Sequence, residues 1–225
     1  MHHDSKKPNC IVLLSGGLDS TTVLALAKHE QYNCYALSFN YGQRHSIELE
    51  SAKKIAQKYQ VIEHKIIDVN FLTQLGHSAL TDHSIPVPDY DPHNTEIPVT
   101  YVPARNTVFI SIALGWAEII KAHSIFIGAS FIDYSGYRDC RPEYFVAYQK
   151  LIDVAVENIT IKTPLLNLSK AETIQLGHSL GVNYYDTVSC YQANDKGHAC
   201  GKCDSCALRK QGFLVANTED QTYYY

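Results

Sequence analysis

The chain has 225 residues, of which 45% are hydrophobic and 19% charged, and its formal net charge is −4 at pH 7. These values are ordinary for a globular protein, and no apolar run is long enough to cross a membrane. A slightly acidic chain without a basic stripe is a poor match for a long nucleic-acid backbone, so a small-molecule substrate is favoured. No secretory signal pattern is visible, which predicts a cytoplasmic protein; His2 and His3 are either native or a tag remnant and carry no prediction.

Apolar and amphipathic segments alternate along the chain. Strands are predicted at Asn9–Leu14, Asn33–Asn40, Glu63–Val69, Ser124–Ala129 and Ile159–Lys162. Helices are predicted at Ser20–His29, Ser46–Tyr59, Arg105–Ala122, Glu143–Glu157 and Ser169–Leu180. This order predicts an α/β protein with a doubly wound parallel sheet, in which ligands bind beyond the carboxyl ends of the strands. Ser169 and Glu172 have the spacing of a capping box at the start of the last helix.

The turn between the first strand and the first helix reads SGGLDS, residues Ser15–Ser20. Glycines let the backbone turn sharply and expose N–H groups, and the positive end of the helix dipole stabilises an anion. The hydroxyls of Ser15, Ser20 and Thr21 can donate hydrogen bonds to phosphate oxygens. Asp19 needs a cation between its carboxylate and a phosphate, most simply Mg²⁺. The alternative is a tight turn in which Asp19 or Ser20 only caps the helix, but the complete hexapeptide at this position favours phosphate.

The segment Phe71–Pro103 interrupts the alternation with prolines and polar residues. A connection of this length without regular structure predicts a lid, a binding loop or a disordered segment.

Four of the seven cysteines form the pattern Cys190-x9-Cys200-x2-Cys203-x2-Cys206. Four thiolates with short spacings suit a tetrahedral, structural Zn²⁺ site, and clustered cysteines in a reducing compartment bind metal more often than they form disulfides. Free thiols and an iron–sulfur cluster are the alternatives, and the fourth cysteine favours a closed zinc site. We therefore predict one zinc ion in a C-terminal segment, residues 187–225, packed on a nucleotide-binding domain, residues 8–186.

The motif SGGLDS resembles the signature of the PP-loop ATP pyrophosphatases, which hold the pyrophosphate of ATP in this loop and transfer AMP to an acceptor oxygen. Further stretches resemble one family within them, and these are FNYGQRHSIELESA (39–52), YVPARN (101–106), GASFIDYSGYRDCRPEY (128–144), TPLLNLSKAETIQLG (163–177) and SCYQANDKGHACGKCDSCALRKQGF (189–213). Together they are similar to the 7-cyano-7-deazaguanine synthase family of the queuosine pathway over Cys10–Phe213. Arg138 departs from the pattern, because a proline is expected before DCRP.

The resemblance implies an adenine-nucleotide alpha-hydrolase-like fold and an ATP-dependent carbon–nitrogen ligase. Such an enzyme converts 7-carboxy-7-deazaguanine and ammonia to the nitrile through an adenylated acid and an adenylated amide, with ATP and Mg²⁺ as substrate. A chain of this length has no room for an amidotransferase domain, so ammonia is expected free or from a partner. The resemblance and the tyrosine-rich end favour a homodimer, with no direct nucleic-acid or membrane partner.

The resemblance also assigns residues. The ATP-binding positions are Leu14, Ser15, Gly16, Gly17, Leu18, Asp19, Ser20, Thr21, Thr22, Val23 and Leu24. Asp19 is expected to bind Mg²⁺, and Lys170 to neutralise phosphate charge in the transition state. Arg105 is expected to pair with the substrate carboxylate or a phosphate. The alternatives are a solvated lysine in the first turn of its helix and an arginine in an ordinary salt bridge.

The loop after the fourth strand contains the candidates for binding the deazaguanine. Asp133 or Asp139 is expected to accept hydrogen bonds from the N–H edge of the base, with Arg141 beside them.

Two other functions fit part of the sequence. Another PP-loop enzyme, such as a tRNA thiolase or an amide synthetase, would need an RNA-binding extension, a catalytic cysteine pair or a glutamine-using domain. A non-catalytic zinc-ribbon module would explain Cys190–Cys206 but not Ser15–Ser20 or Lys170.

Overall fold

A computed structural model of the chain describes residues 7–44, 47–94, 96–132 and 136–225. Asp133, which is predicted to bind the substrate base, lies outside these described ranges. None of the helices within them is both long and apolar enough to span a membrane.

Five strands form a single sheet in the part of the chain that the structure describes. They are β1 (Asn9–Leu13), β2 (Asn33–Asn40), β3 (His64–Asp68), β4 (Ala122–Phe126) and β5 (Thr160–Lys162). Hydrogen bonds join them in the order β3-β2-β1-β4-β5, and every neighbouring pair is parallel. The predicted parallel sheet is confirmed. The fourth strand ends at Phe126 rather than at the predicted Ala129, and beyond it Gly128 packs against Asp19 and Ser20, where a Cβ would lie 3.0 Å from the Ser20 nitrogen.

The helices are α1 (Leu18–His29), α2 (Ile47–Lys58), α3 (Arg105–Ile120), α4 (Pro142–Ala155), α5 (Lys170–Ser179) and α6 (Asp204–Val215). The first five match predicted helices to within about three residues at each end. The predicted capping box is present, because Glu172 N donates to Ser169 Oγ and Ser169 N donates to the Glu172 carboxylate. The helix α6 was not predicted, because its start lies inside the cysteine pattern.

Helices cover both faces of the sheet, which confirms the doubly wound arrangement. On one face Ile11 of β1 packs in the same core as Ile110 of α3 and residues of α4. On the other face the next residue, Val12, packs with Val23 of α1 and Ile55 of α2. Successive residues of a strand point to opposite faces, so β1 contributes to both cores and is buried on each side.

The long connection and the C-terminal tail both pack on the cysteine segment. Ala79 and Val87 of the connection lie in the same buried cluster as the four cysteines. The end of the chain pairs with Ala199 through a bridge at Tyr224, so the terminal tyrosines are bonded to their own chain. Arg209 of α6 is almost fully buried and binds the Asp220 carboxylate at 3.0 Å, which ties the tail to this helix.

A glycine in α5 provides a test of how tightly the helices pack. A Cβ on Gly177 would overlap the hydroxyl of the buried Tyr184 and lie 2.6 Å from its Cζ atom. We expect Gly177→Ala to lower the free energy of unfolding by about 1–3 kcal/mol, the usual cost of overpacking a core. The control is Gly115→Ala on the exposed surface of α3, where a Cβ meets nothing within 4 Å; there alanine should stabilise the helix by up to about 1 kcal/mol. Urea unfolding of the three proteins measures both changes, and equal stability of the two variants would contradict the packing.

Candidate active site

A cavity of about 250 Å³ lies at the carboxyl edge of the sheet. β1 and β4 are neighbours there, and the chain leaves them toward opposite faces of the sheet, which is where α/β sheets bind ligands. Its walls come from the ends of β1, β2 and β4, from the starts of α2 and α3, and from two pieces of the C-terminal segment, residues 188–191 and Ser205. The cysteine segment therefore forms part of the same cavity as the glycine loop.

The glycine loop is held by its backbone. Gly16 has a φ of 87°, in the left-handed region that favours glycine, and a Cβ there would overlap the carbonyl oxygen of Glu48. Its own carbonyl oxygen accepts hydrogen bonds from Ser51 Oγ at 2.9 Å and from Val188 N at 3.0 Å. The loop is thus fastened to α2 on one side and to the C-terminal segment on the other.

The loop hydroxyls keep this conformation. Ser20 Oγ accepts from Ser15 N and donates to the Gly17 carbonyl, both at 3.2 Å, and Thr21 Oγ1 donates to the same carbonyl at 2.8 Å. α1 begins at Leu18 with Gly17 at the N-cap position and no side-chain cap, so the alternative in which Asp19 or Ser20 merely caps the helix is wrong.

Only part of the predicted ATP-binding stretch reaches the cavity. The residues that line it are Leu14, Ser15, Gly17, Leu18, Asp19 and Ser20. The remaining predicted positions are buried and, within the described ranges, do not line the cavity; they are Gly16, Thr21, Thr22, Val23 and Leu24. The hydroxyl of Thr22, for example, contacts the Tyr184 hydroxyl at 2.7 Å inside the protein.

Lys170 and Asp19 form an ion pair beside the loop. The Lys170 ammonium lies 2.7 and 2.9 Å from the two oxygens of the Asp19 carboxylate. The Lys170 side chain is only 8% exposed, so the alternative of a solvated lysine is wrong. Gly212 of α6 makes room for its stem, because a Cβ there would overlap Lys170 Cγ. A cation from α5 is therefore positioned next to the loop at the start of α1.

Arg105, at the first position of α3, also lines the cavity. Its guanidinium carbon lies 5.9 Å from the centre of the Tyr41 ring, and both residues line the cavity. The following residue, Asn106, is held by Asp139, whose carboxylate accepts its backbone N–H at 3.1 Å. Asp139 is buried and Arg141 is at the N-cap position of α4, and neither is among the described residues that line the cavity. This placement gives Asp139 a part in fixing the start of α3.

Sequence reasoning missed Glu48, which lines the cavity from the first turn of α2. Burial raises the pKa of its carboxyl to about 8, although the Arg105 guanidinium acts in the opposite direction. Within the described ranges the structure contains no hydrogen bond to this carboxylate. The signal in the sequence is its position, because the helix that follows β2 begins at the edge where ligands bind. Ser189 was also missed; its hydroxyl accepts the N–H of Leu18 at 3.0 Å.

The four cysteines of the C-terminal segment converge. Their sulfur atoms all lie within 4.8 Å of one another, the four residues are buried, and the Sγ atoms of Cys200 and Cys206 are 3.9 Å apart. Tetrahedral Zn²⁺ with sulfur ligands at about 2.3 Å places its sulfur atoms roughly 3.8 Å apart. Hydrogen bonds from the Cys190 and Cys206 thiols lower the pKa of Cys203, so the cluster accommodates a thiolate. The arrangement fits a closed metal site with four sulfur ligands.

The family model described as queuosine biosynthesis protein QueC matches residues 9–217. A 7-cyano-7-deazaguanine synthase of Coxiella burnetii (strain RSA 331 / Henzerling II) is 59% identical over 220 residues, covering 95% of this chain and 96% of that protein. The 7-cyano-7-deazaguanine synthase of Saccharophagus degradans is 57% identical with the same coverage.

Two solved structures are similar in fold. The NMN synthetase of Francisella tularensis has a TM-score of 0.52 and 16% identity, covering 96% of this chain and 80% of that one. A 4-thiouridine synthetase, solved as an RNA complex with bound ATP, has a TM-score of 0.53 and 15% identity, covering 96% of this chain and 47% of that one.

The raised pKa of Glu48 predicts a dependence of stability on pH. The folded protein favours the protonated carboxyl, so the contribution of Glu48 to stability falls as the pH rises from its ordinary pKa of 4.5 to about 8. The variant Glu48→Gln does not ionise, and its melting temperature relative to the wild type should therefore be higher at about pH 8.5 than at about pH 5. Glu50→Gln is the control, since Glu50 is exposed. Thermal melts at the two pH values measure the change, and a Glu48→Gln difference that does not vary with pH would contradict the prediction.

Proposed function

The chain belongs to the QueC family of queuosine biosynthesis proteins, and on this basis we propose that it is an ATP-dependent ligase that converts 7-carboxy-7-deazaguanine and ammonia to 7-cyano-7-deazaguanine. The observation that carries the proposal is the glycine loop at the wall of the cavity, where Asp19 lines the cavity and is paired with the buried Lys170 beside it. Arg105 lines the same cavity, so a nucleotide and an anionic second substrate can be held in one space.

The chemistry follows from the weakness of a carboxylate as an electrophile. Transfer of AMP from ATP to a carboxylate oxygen releases pyrophosphate and makes that oxygen a leaving group. Ammonia then attacks the carbonyl carbon, and AMP and a proton leave to give the amide. A second ATP transfers AMP to the amide oxygen, releasing pyrophosphate and one N–H proton to give an adenylated imidate, and loss of AMP with the remaining N–H proton gives the nitrile. Both activations need the same clamp on the pyrophosphate.

The residues beside the loop suit that clamp. Backbone N–H groups at the start of α1 and the Lys170 ammonium both stabilise negative charge, and Lys170 substitutes for the lysine that the loop itself lacks. The Asp19 carboxylate would hold Mg²⁺ against the phosphates. The Asp19 carboxylate and the Lys170 ammonium neutralise each other in their ion pair. With ATP and Mg²⁺ as substrate, Asp19 would pair with the metal and Lys170 with a phosphate.

Arg105 is proposed to bind the carboxylate of the second substrate. A guanidinium forms two parallel hydrogen bonds to a carboxylate, which fixes the orientation of that group. Its position at the first residue of α3, held by the contact of Asn106 with the buried Asp139, makes the guanidinium part of a rigid wall.

The four cysteines are proposed to bind one structural zinc ion per chain. The complete sulfur set leaves no open position for catalysis. Its effect on the reaction is instead architectural, because Cys190 directly follows Ser189, whose hydroxyl binds the N-terminal N–H of α1. The same assignment argues against a tRNA thiolase, since it leaves these cysteines unavailable as a catalytic pair. A cytoplasmic homodimer that uses ammonia, either free or supplied by a partner, remains our expectation.

The clamp can be tested by removing its charges. We expect Asp19→Asn and Lys170→Met each to lower the formation of both AMP and nitrile by about 100-fold or more, since each removes a charge that stabilises the transition state. Lys53→Met, which removes an exposed lysine on α2, should leave both rates unchanged. Chromatography with mass spectrometry follows nucleotide and base in the presence of ATP, Mg²⁺, ammonium and 7-carboxy-7-deazaguanine.

Each single variant leaves one charge of the ion pair without its partner, so thermal melts must accompany the assay. The double variant Asp19→Asn with Lys170→Met removes both charges and should fold while remaining inactive. A folded, zinc-loaded wild-type protein that leaves the base unchanged would overturn the proposed function.

The metal assignment predicts the effect of losing one ligand. We expect wild-type protein to contain one zinc ion per chain after dialysis and Cys203→Ser to contain none, because three sulfur ligands bind far more weakly than four. The melting temperature should fall together with the metal content. Cys10→Ala, a change at a buried cysteine of β1, should retain its zinc. Elemental analysis measures the metal; iron in place of zinc, or zinc retained by Cys203→Ser, would overturn the assignment.

A further inference from the structure

The Glu48 carboxylate faces the cavity and has no part in the chemistry above. We propose that Glu48 recognises the deazaguanine, by accepting hydrogen bonds from the ring N–H and the 2-amino group of its pyrimidine ring. This inference rests on the proposed function and identifies the residue that selects its base.

In the described part of the chain, few carboxylates line the cavity. Among the described residues that line the cavity, acidic side chains come from Asp19 and Glu48 alone. Asp19 is paired with Lys170 beside the phosphate loop. Asp139, which the sequence suggested for this role, is buried and bound to the start of α3. Glu48 is therefore the described carboxylate that remains for a ligand.

The order of hydrogen-bond donors and acceptors around the base also favours Glu48. The carboxyl group at position 7 is followed by the ring carbonyl oxygen, then by the ring N–H and the 2-amino group. Acceptors on the ligand therefore lie directly beside donors. Arg105 and Glu48 both line the cavity, so the protein also presents a donor and an acceptor to one ligand. With Arg105 at the carboxyl side of the base, Glu48 lies at the N–H side.

Ammonium and adenine, two other ligands of the reaction, suit the Glu48 carboxylate less well than the base does. Ammonium is a cation, and its binding at Glu48 is opposed by the nearby Arg105 guanidinium. The neutral base suffers no such repulsion. Adenine presents one amino group beside an unprotonated ring nitrogen, which would repel a carboxylate oxygen. Two adjacent N–H groups match the two oxygens of the ionised carboxylate, as in a guanidinium–carboxylate pair, so binding of the base is coupled to loss of the proton that the buried Glu48 carboxyl otherwise retains.

The backbone of α2 at Glu48 is held rigidly. Glu48 lies in the first turn of α2, and its backbone carbonyl packs so closely on Gly16 that no Cβ fits between them. The backbone from which this side chain extends is therefore held at a constant distance from the glycine loop. A base held there presents its carboxyl group to the nucleotide in one orientation, which is what transfer of AMP to a defined oxygen requires.

The test compares Glu48→Gln with the matched control Glu50→Gln, an exposed glutamate two residues further along α2. Glu48→Gln should raise KM for 7-carboxy-7-deazaguanine by about 10- to 100-fold, the usual effect of losing hydrogen bonds to a charged group. KM for ATP and KM for ammonium should stay unchanged, and Glu50→Gln should leave all three constants as in the wild type.

A second measurement uses the analogue that lacks the 2-amino group. The wild type should bind this analogue about 10-fold or more weakly than the natural base, and Glu48→Gln should bind the two with nearly equal affinity. Isothermal titration calorimetry of the zinc-loaded protein gives these affinities without turnover. The comparison of the two bases on wild-type protein alone does not depend on the folding of any variant.

The outcomes separate this inference from the proposed function. Binding that depends on Glu48 without conversion of the base would overturn the ligase activity and support the role of Glu48. Conversion with equal affinity for the two bases would overturn the role of Glu48 alone, and so would a rise in KM for ammonium instead of the base. A wild-type protein that neither binds nor converts the base would overturn both.

Discussion

The site depends on the close approach of two backbones at Gly16. There the loop after β1 lies against the first turn of α2 with no space for a Cβ, and its carbonyl also binds Ser51 and Val188. This one contact holds the phosphate loop, the helix that carries Glu48 and the C-terminal segment at constant distances. Any larger residue would have to separate them, and its left-handed backbone would be strained as well.

The second link in the site is electrostatic. α5 brings Lys170 to Asp19, and α6 packs so closely on the lysine stem that only glycine fits at position 212. Burying a cation is costly unless it is paired, so each side chain stabilises the position of the other. The cysteine segment closes the same cavity through Ser189. Phosphate clamp, sheet edge and cysteine cluster thus act as one structure.

Much of this was predictable because it is local. The alternation of apolar and amphipathic segments predicted every strand and the first five helices, since period and capping depend on residues near each other in the chain. The Ser15–Ser20 motif and the spacing of the four cysteines are likewise local patterns with few structural alternatives. The helix α6 was not predicted, because Cys203 and Cys206 were interpreted as part of a metal site and this hid the helical periodicity that begins there.

The α/β order, the glycine loop and the cluster of four cysteines could be read from the sequence, because each is encoded within a short stretch. Which side chains face the cavity depends on the tertiary fold. The fold buries Asp139 beneath α3, pairs Lys170 with Asp19 across 151 positions, and brings Glu48 and Arg105 to one cavity. These relations arise where strands that are distant in sequence end at one edge of a sheet, and no local pattern records which neighbours meet there.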